Sequence, residues 1–132
     1  MTFGVKPERA ATEYGYINLG DVISGEVRSV AKFVEKPDPA TAAGFIKAGY
    51  LWNSGNFMFR ASVLLEEYRN VDADSVQAVS DAVSKAGQDL GFVKLDPESF
   101  ASAKAISIDY AVMEKTARCL HESPRAARAV FG

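Results

Sequence analysis

The chain has 132 residues, 48% of them hydrophobic and 24% charged, with a formal net charge of −2, proportions that exclude a disordered, fibrous or collagen-like chain. A chain near this length buries roughly two thirds of the surface it exposes when unfolded, so a single domain over residues 1–132 is expected, with no need of disulfide or metal staples. The balanced charge, with no run of Lys or Arg, argues against nucleic acid as a partner.

Thr2–Val5, Tyr14–Ile17 and Val30–Val34 are short, β-branched or aromatic, and separated by Gly, Pro, Asn and Asp, which predicts strands joined by turns. At Lys36-Pro37-Asp38-Pro39 the pattern changes. Asp38 suits a helix cap and Pro39 the first helical position, and Ala42, Phe45 and Ile46 then recur at i, i+3, i+4 before Gly49. Asn53-Ser54-Gly55 reads as a turn. Phe57-Met58-Phe59 after it is continuously apolar, as in a central strand covered on both faces.

Leu64, Leu65 and Tyr68 form the stripe of one amphipathic helix. Val76, Val79 and Val83 form that of another, opening at the capping candidate Asp74 and closing before Gly87. Asp96-Pro97 repeats the cap-plus-proline signal before Phe100, and Ser107–Glu114 reads as one more helix start. Strands alternating with helices mean an α/β fold, and the hairpin spacing of the first strands makes its sheet mixed, flanked by helices. The tail from Glu122 to Gly132 has weak periodicity and is expected to fray.

Cys119 is the lone cysteine and cannot form an internal disulfide. The opening MTFGVKPERA carries no apolar signal core, so the expected compartment is the reducing cytoplasm. No apolar stretch approaches the roughly 18 to 20 residues that cross a bilayer, and no membrane partner is expected. Cys119, His121 and Glu122 lie close in sequence, but structural zinc takes four ligands and His121 is the single histidine. Chance proximity is the reading there. Trp52 and Phe57–Phe59 read as core rather than as a stacking platform.

One place carries candidate chemistry by itself. Glu35 and Lys36 stand side by side where a strand ends, the side of an open α/β sheet on which ligands sit; a carboxylate there accepts sugar hydroxyls and an ammonium meets a phosphate, or the two form a plain solvated ion pair. On residue type alone Gly15 reads as a hairpin glycine, Asn53 as a turn residue and Asp109 as a first-turn acid favoured by the helix dipole.

Phe33-Val34-Glu35-Lys36-Pro37, Trp52-Asn53-Ser54-Gly55 and Ser107-Ile108-Asp109-Tyr110-Ala111-Val112-Met113-Glu114-Lys115-Thr116 resemble blocks of the sugar-1-phosphate nucleotidyltransferases, specifically the mannose-1-phosphate guanylyltransferase branch. Thr2-Phe3-Gly4-Val5 and Tyr14-Gly15-Tyr16-Ile17 fit in the same order, so the resemblance spans roughly residues 2 to 116. It implies a partial Rossmann-like nucleotidyltransferase domain whose acceptor half is present. It further implies a transferase that joins GTP and mannose 1-phosphate into GDP-mannose and pyrophosphate, in polysaccharide biosynthesis. By the same resemblance, Gly15, Glu35 and Asn53 bind the sugar, Lys36 holds its phosphate, and Lys36 and Asp109 serve catalysis, with Asp109 holding Mg²⁺.

The chain shows no glycine-rich phosphate loop, so it is expected to lack the N-terminal nucleotide-binding segment and to be inactive alone. Glu13 departs from the family pattern before Tyr14, and residues 117–132 diverge from it. The alternatives are a non-catalytic sugar-phosphate-binding or interaction module, and a nucleotidyltransferase for another hexose 1-phosphate. A half-domain also leaves apolar surface at Phe57–Phe59, with self-association into a homo-oligomer expected across that strand edge.

Overall fold

Five strands close on themselves in the first of two units formed by this chain, shown by a computed structural model that describes residues 1–122. In chain order the elements are β1 (Thr2–Val5), β2 (Tyr16–Ser24), β3 (Val27–Val34), α1 (Pro39–Lys47), β4 (Leu51–Phe57), α2 (Ala61–Val71), α3 (Ala73–Ser84), β5 (Gly87–Asp89), β6 (Phe92–Lys94), α4 (Pro97–Ala101), a π-helical turn (Asp109–Met113) and β7 (Leu120–Glu122). Among the described residues the first unit comprises Met1–Phe59 and 113–122; the second is Arg60–Val112. The fold is α/β, as expected.

In the first unit the strands pair in the order β1-β4-β2-β3-β7, and β7 returns to β1. The β1–β7 pair is parallel and the others antiparallel, so the sheet is mixed. β2 and β3 turn back on each other at Gly25, whose φ of 55° suits a residue without Cβ. Ile17 faces Phe33 in register. Both join Met113 and Cys119 in a buried cluster flanked by Leu19, Val30 and Phe57. Tyr16 is fully buried, and its hydroxyl is satisfied by donating to the Ala11 carbonyl at 2.8 Å.

α1 begins as its punctuation predicts. The Asp38 carboxylate accepts from the Thr41 amide at 3.0 Å, Pro39 occupies the first turn, and Gly49 follows the end at φ 78°. The expectation for Phe57–Phe59 is corrected. The strand runs through Asn53-Ser54-Gly55 rather than starting after it, and Met58 and Phe59 lie beyond its end, 43% and 51% exposed. Gly55, at φ 74°, bends the strand without ending it. β4 therefore pairs with β1 on one side and β2 on the other, and leaves no open edge where one was expected.

In the second unit α3 is capped by Asp72 and not by Asp74. The Asp72 carboxylate accepts from the Ser75 amide at 3.3 Å and from its hydroxyl at 2.8 Å, while Asp74 falls in the first turn. Lys104 pairs with the Asp72 carboxylate at 3.0 Å. α4 has the predicted Asp96 cap, bonded to the Ser99 amide at 2.9 Å. The β5–β6 hairpin between them has no counterpart among the expected elements, because its turn uses Leu90 at φ 48° before Gly91 at φ 86°, a conformation leucine rarely takes. Ser107–Glu114 shortens to the π-helical turn. The tail expected to fray from Glu122 begins instead in β7, where Glu122 pairs with Phe3; its residues 123–132 lie outside the described residues. No helix among those described is long and apolar enough to cross a membrane.

Candidate functional site

Strand register brings three of the sequence-named residues together. Tyr16 pairs with Val34 on β3 and with Trp52 on β4, so the residues one step along, Gly15, Glu35 and Asn53, meet at the same end of the sheet. The backbone N–H of Asn53 donates to the Gly15 carbonyl at 2.7 Å. A Cβ on Gly15 would collide with Oε2 of Glu35 and lie 3.3 Å from Cβ of Asn53. The absence of a side chain at Gly15 is therefore what makes room for the Glu35 carboxylate, whose side chain is only 9% exposed.

Lys36 is turned to the same side. Consecutive strand residues face opposite ways, but the chain leaves β3 at Val34 and Lys36 takes φ 45°, a left-handed conformation that costs a non-glycine residue on the order of 1–3 kcal/mol. Its Nζ then stands 3.5 Å from Oε1 of Glu35 while the side chain stays 53% exposed. The result is a buried carboxylate beside an accessible ammonium. Asn53 completes the group, its Oδ1 accepting from the Thr2 hydroxyl at 3.0 Å and from the Gly55 amide at 3.2 Å. Such a set accepts hydroxyl donors and meets an anion.

Sequence reasoning named no role for two residues at this end of the sheet. Thr2 reaches Asn53 from β1. The Glu35 amide donates to Oε1 of Glu114 at 2.7 Å, across 79 residues of chain. Glu114 lies within the Ser107–Thr116 block, but no local pattern reports that its carboxylate meets a strand end so far away in sequence.

Asp109 belongs to the second unit, where it opens the π-helical turn, half-buried. Among the described residues no group of three or more His, Cys, Asp or Glu could hold a metal ion. Mg²⁺ keeps several waters and takes one or two carboxylates plus phosphates, so this donor set fits only an ion that arrives with a phosphate ligand. Cys119 packs in the core, and burial pushes its thiol pKa up. His121 sits in β7, 4% exposed, with both ring nitrogens buried and without a hydrogen-bond partner; burial, then Arg28, lower its pKa. Trp52 is half-buried with Tyr14 tilted against it at 4.9 Å.

Comparison with known proteins agrees with the blocks that carry this site. Residues 1–97 match the Nucleotidyl transferase family. The mannose-1-phosphate guanylyltransferase of Salmonella muenchen is 48% identical over 117 residues, covering 88% of this chain and 25% of the relative. The xanthan biosynthesis protein XanB of Xanthomonas campestris pv. campestris is 49% identical over 122 residues, covering 89% of this chain and 25% of that protein. The chain thus spans about a quarter of the length of these relatives. A crystal structure from Thermus thermophilus, described as a mannose-1-phosphate geranyltransferase, superposes with a TM-score of 0.77 at 34% identity, covering 99% of this chain and 39% of that one.

Proposed function

The chain belongs to the nucleotidyl transferase family, an enzyme family, and we propose that it carries the sugar-phosphate-binding part of a mannose-1-phosphate guanylyltransferase. In that reaction the phosphate of mannose 1-phosphate attacks the α-phosphorus of GTP, pyrophosphate leaves, and GDP-mannose forms. Glu35 accepts hydrogen bonds from the mannose hydroxyls, Asn53 contacts the sugar with its amide, and Gly15 lets the ring approach the backbone. Lys36 holds the sugar phosphate and lowers the repulsion between it and the incoming triphosphate. The chain's share of catalysis is positioning and charge neutralisation. A Mg²⁺ bound with the phosphates would supply further neutralisation, and by the resemblance to the family Asp109 would be a carboxylate ligand to it.

The observation that supports this reading is the space at Gly15 into which the Glu35 carboxylate projects beside Asn53. The names of the relatives supply the sugar and the nucleotide; a cytoplasmic enzyme serving polysaccharide biosynthesis belongs to the same reading. Because the chain corresponds to a quarter of those relatives, it is expected to bind mannose 1-phosphate without making GDP-mannose alone.

Calorimetric titration with mannose 1-phosphate, mannose and GTP tests this. Lys36→Ala should weaken mannose 1-phosphate more than mannose and Glu35→Gln should weaken both, each by about 1.5–3 kcal/mol for a charge-assisted hydrogen bond. Equal affinity of wild type and Lys36→Ala for mannose 1-phosphate would overturn the assignment of the phosphate. Binding of the sugar phosphate by a longer protein that binds no GTP would instead favour a non-catalytic module.

A further inference from the structure

Resting on that sugar-phosphate reading, we propose that Glu114 is a positioning residue for the Glu35–Lys36 pair. The Glu35 amide lies one residue past the end of β3, where the sheet ladder no longer supplies an acceptor. It donates instead to Oε1 of Glu114 at 2.7 Å, a hydrogen bond strengthened by the acceptor's charge. Pinning this amide fixes the peptide plane that leads into Glu35. The next residue, Lys36, holds φ 45°, a conformation that persists only where the surroundings over-determine it.

Glu114 is itself held in place. It follows Met113, which is 8% exposed in the same buried cluster as Phe33, and Phe33 stands two residues before Glu35. Both ends of the contact are therefore anchored in one core. The turn that delivers Glu114 is π-helical, a geometry that recurs at functional sites because it re-aims the residues around it. Glu114 is exposed, so its carboxylate does not fill the core. Its contact with Glu35 sets where a buried carboxylate and an accessible ammonium point.

The test is a double-mutant cycle on the 132-residue chain, read by mannose 1-phosphate affinity. Glu114→Ala should lose about tenfold, while Glu114→Gln, whose amide oxygen still accepts, should stay within about threefold of wild type. In the Glu114→Ala background, adding Lys36→Ala should cost less than it does in wild type, because Lys36 is already misdirected. A residue with only a packing role leaves the Lys36→Ala effect unchanged. Wild type that binds mannose 1-phosphate, with Glu114→Ala binding equally well or the two losses multiplying independently, overturns the proposal.

Wild type that does not bind mannose 1-phosphate overturns the reading of the site and the positioning role with it. The contact itself has a readout that needs no ligand. In wild type the Glu35 amide proton, bonded to a charged acceptor, should resonate downfield, and Glu114→Gln, which leaves a neutral acceptor, should move it upfield. A Glu35 amide indifferent to Glu114→Gln overturns the proposal even if Glu114→Ala fails to fold.

Discussion

The two units are held by different kinds of contact. The first joins residues far apart in sequence: β1 with β7, Thr2 with Asn53, Glu35 with Glu114. The second is assembled from local devices, the Asp72 and Asp96 caps and the β5–β6 hairpin, with Lys104 returning to Asp72 as its long-range tie. The first encloses Ile17 and Phe33. The second leaves Val83 56% and Phe100 51% exposed around a groove of about 610 Å³. Long-range pairing makes a site precise because every partner constrains the others, whereas local caps fix helix ends alone; exposed apolar residues occur in both units, Val22 at 64% among them in the first.

The largest expected contrast is in stability. Ile17→Ala removes a fully buried side chain and should lower unfolding free energy by about 2–5 kcal/mol, whereas Val83→Ala, at 56% exposure, should stay within about 0.5 kcal/mol. Denaturant midpoints check both, and equal losses would mean that Val83 is covered in solution.

Next in size is Gly15→Ala. The added methyl displaces the Glu35 carboxylate, which costs the fold about 1–3 kcal/mol of overpacking, and mannose 1-phosphate affinity should fall with it. Calorimetry reads it, and unchanged affinity would show that Glu35 has room to move without consequence.

pH separates the buried histidine of the first unit from the capping carboxyls, which include Asp38 of the first unit as well as Asp72 and Asp96 of the second. Burial holds the His121 pKa below its ordinary value, so the unfolded chain takes up its proton first. The stability that neutral His121 contributes is present above about pH 6.5 and is lost as pH falls through the depressed folded pKa. The carboxyls of Asp72 and Asp96 are lowered chiefly by hydrogen bonds, from Lys104 and Ser99 respectively. Their contribution is present above about pH 3.9 and is lost on further acidification. Melting temperature should therefore fall in two stages, and His121→Gln should remove the upper one alone.

The smallest expected effect concerns metal. With one carboxylate offered, Mg²⁺ remains mostly hydrated, so the thermal midpoint should be the same with and without millimolar Mg²⁺. A clear rise would reveal a resident site.

Much of this molecule was legible one segment at a time. Asp38-Pro39 and Asp96-Pro97 announced their helices because a cap and its amide lie three residues apart. Thr2–Val5 was readable as a strand from its composition. The Glu35-Lys36-Pro37, Trp52–Gly55 and Ser107–Thr116 blocks pointed to sugar nucleotidyltransferases, and the match of residues 1–97 bears out the wider family.

Pattern did not show that Asp72 caps α3 in place of Asp74, nor that Lys104 returns to it from 32 residues on. Nor could it reveal that β4 continues through Gly55, that Leu90 turns a hairpin, or that β7 closes the ring. Those outcomes depend on partners whose distance along the chain leaves no local period. The same holds for the candidate site. Residue types named the Glu35–Lys36 pair and the family resemblance named Gly15 and Asn53, but strand register made Gly15 the space beside the Glu35 carboxylate. Glu114 became its neighbour because folding brought together two segments 79 residues apart, a proximity that composition, periodicity and spacing do not encode.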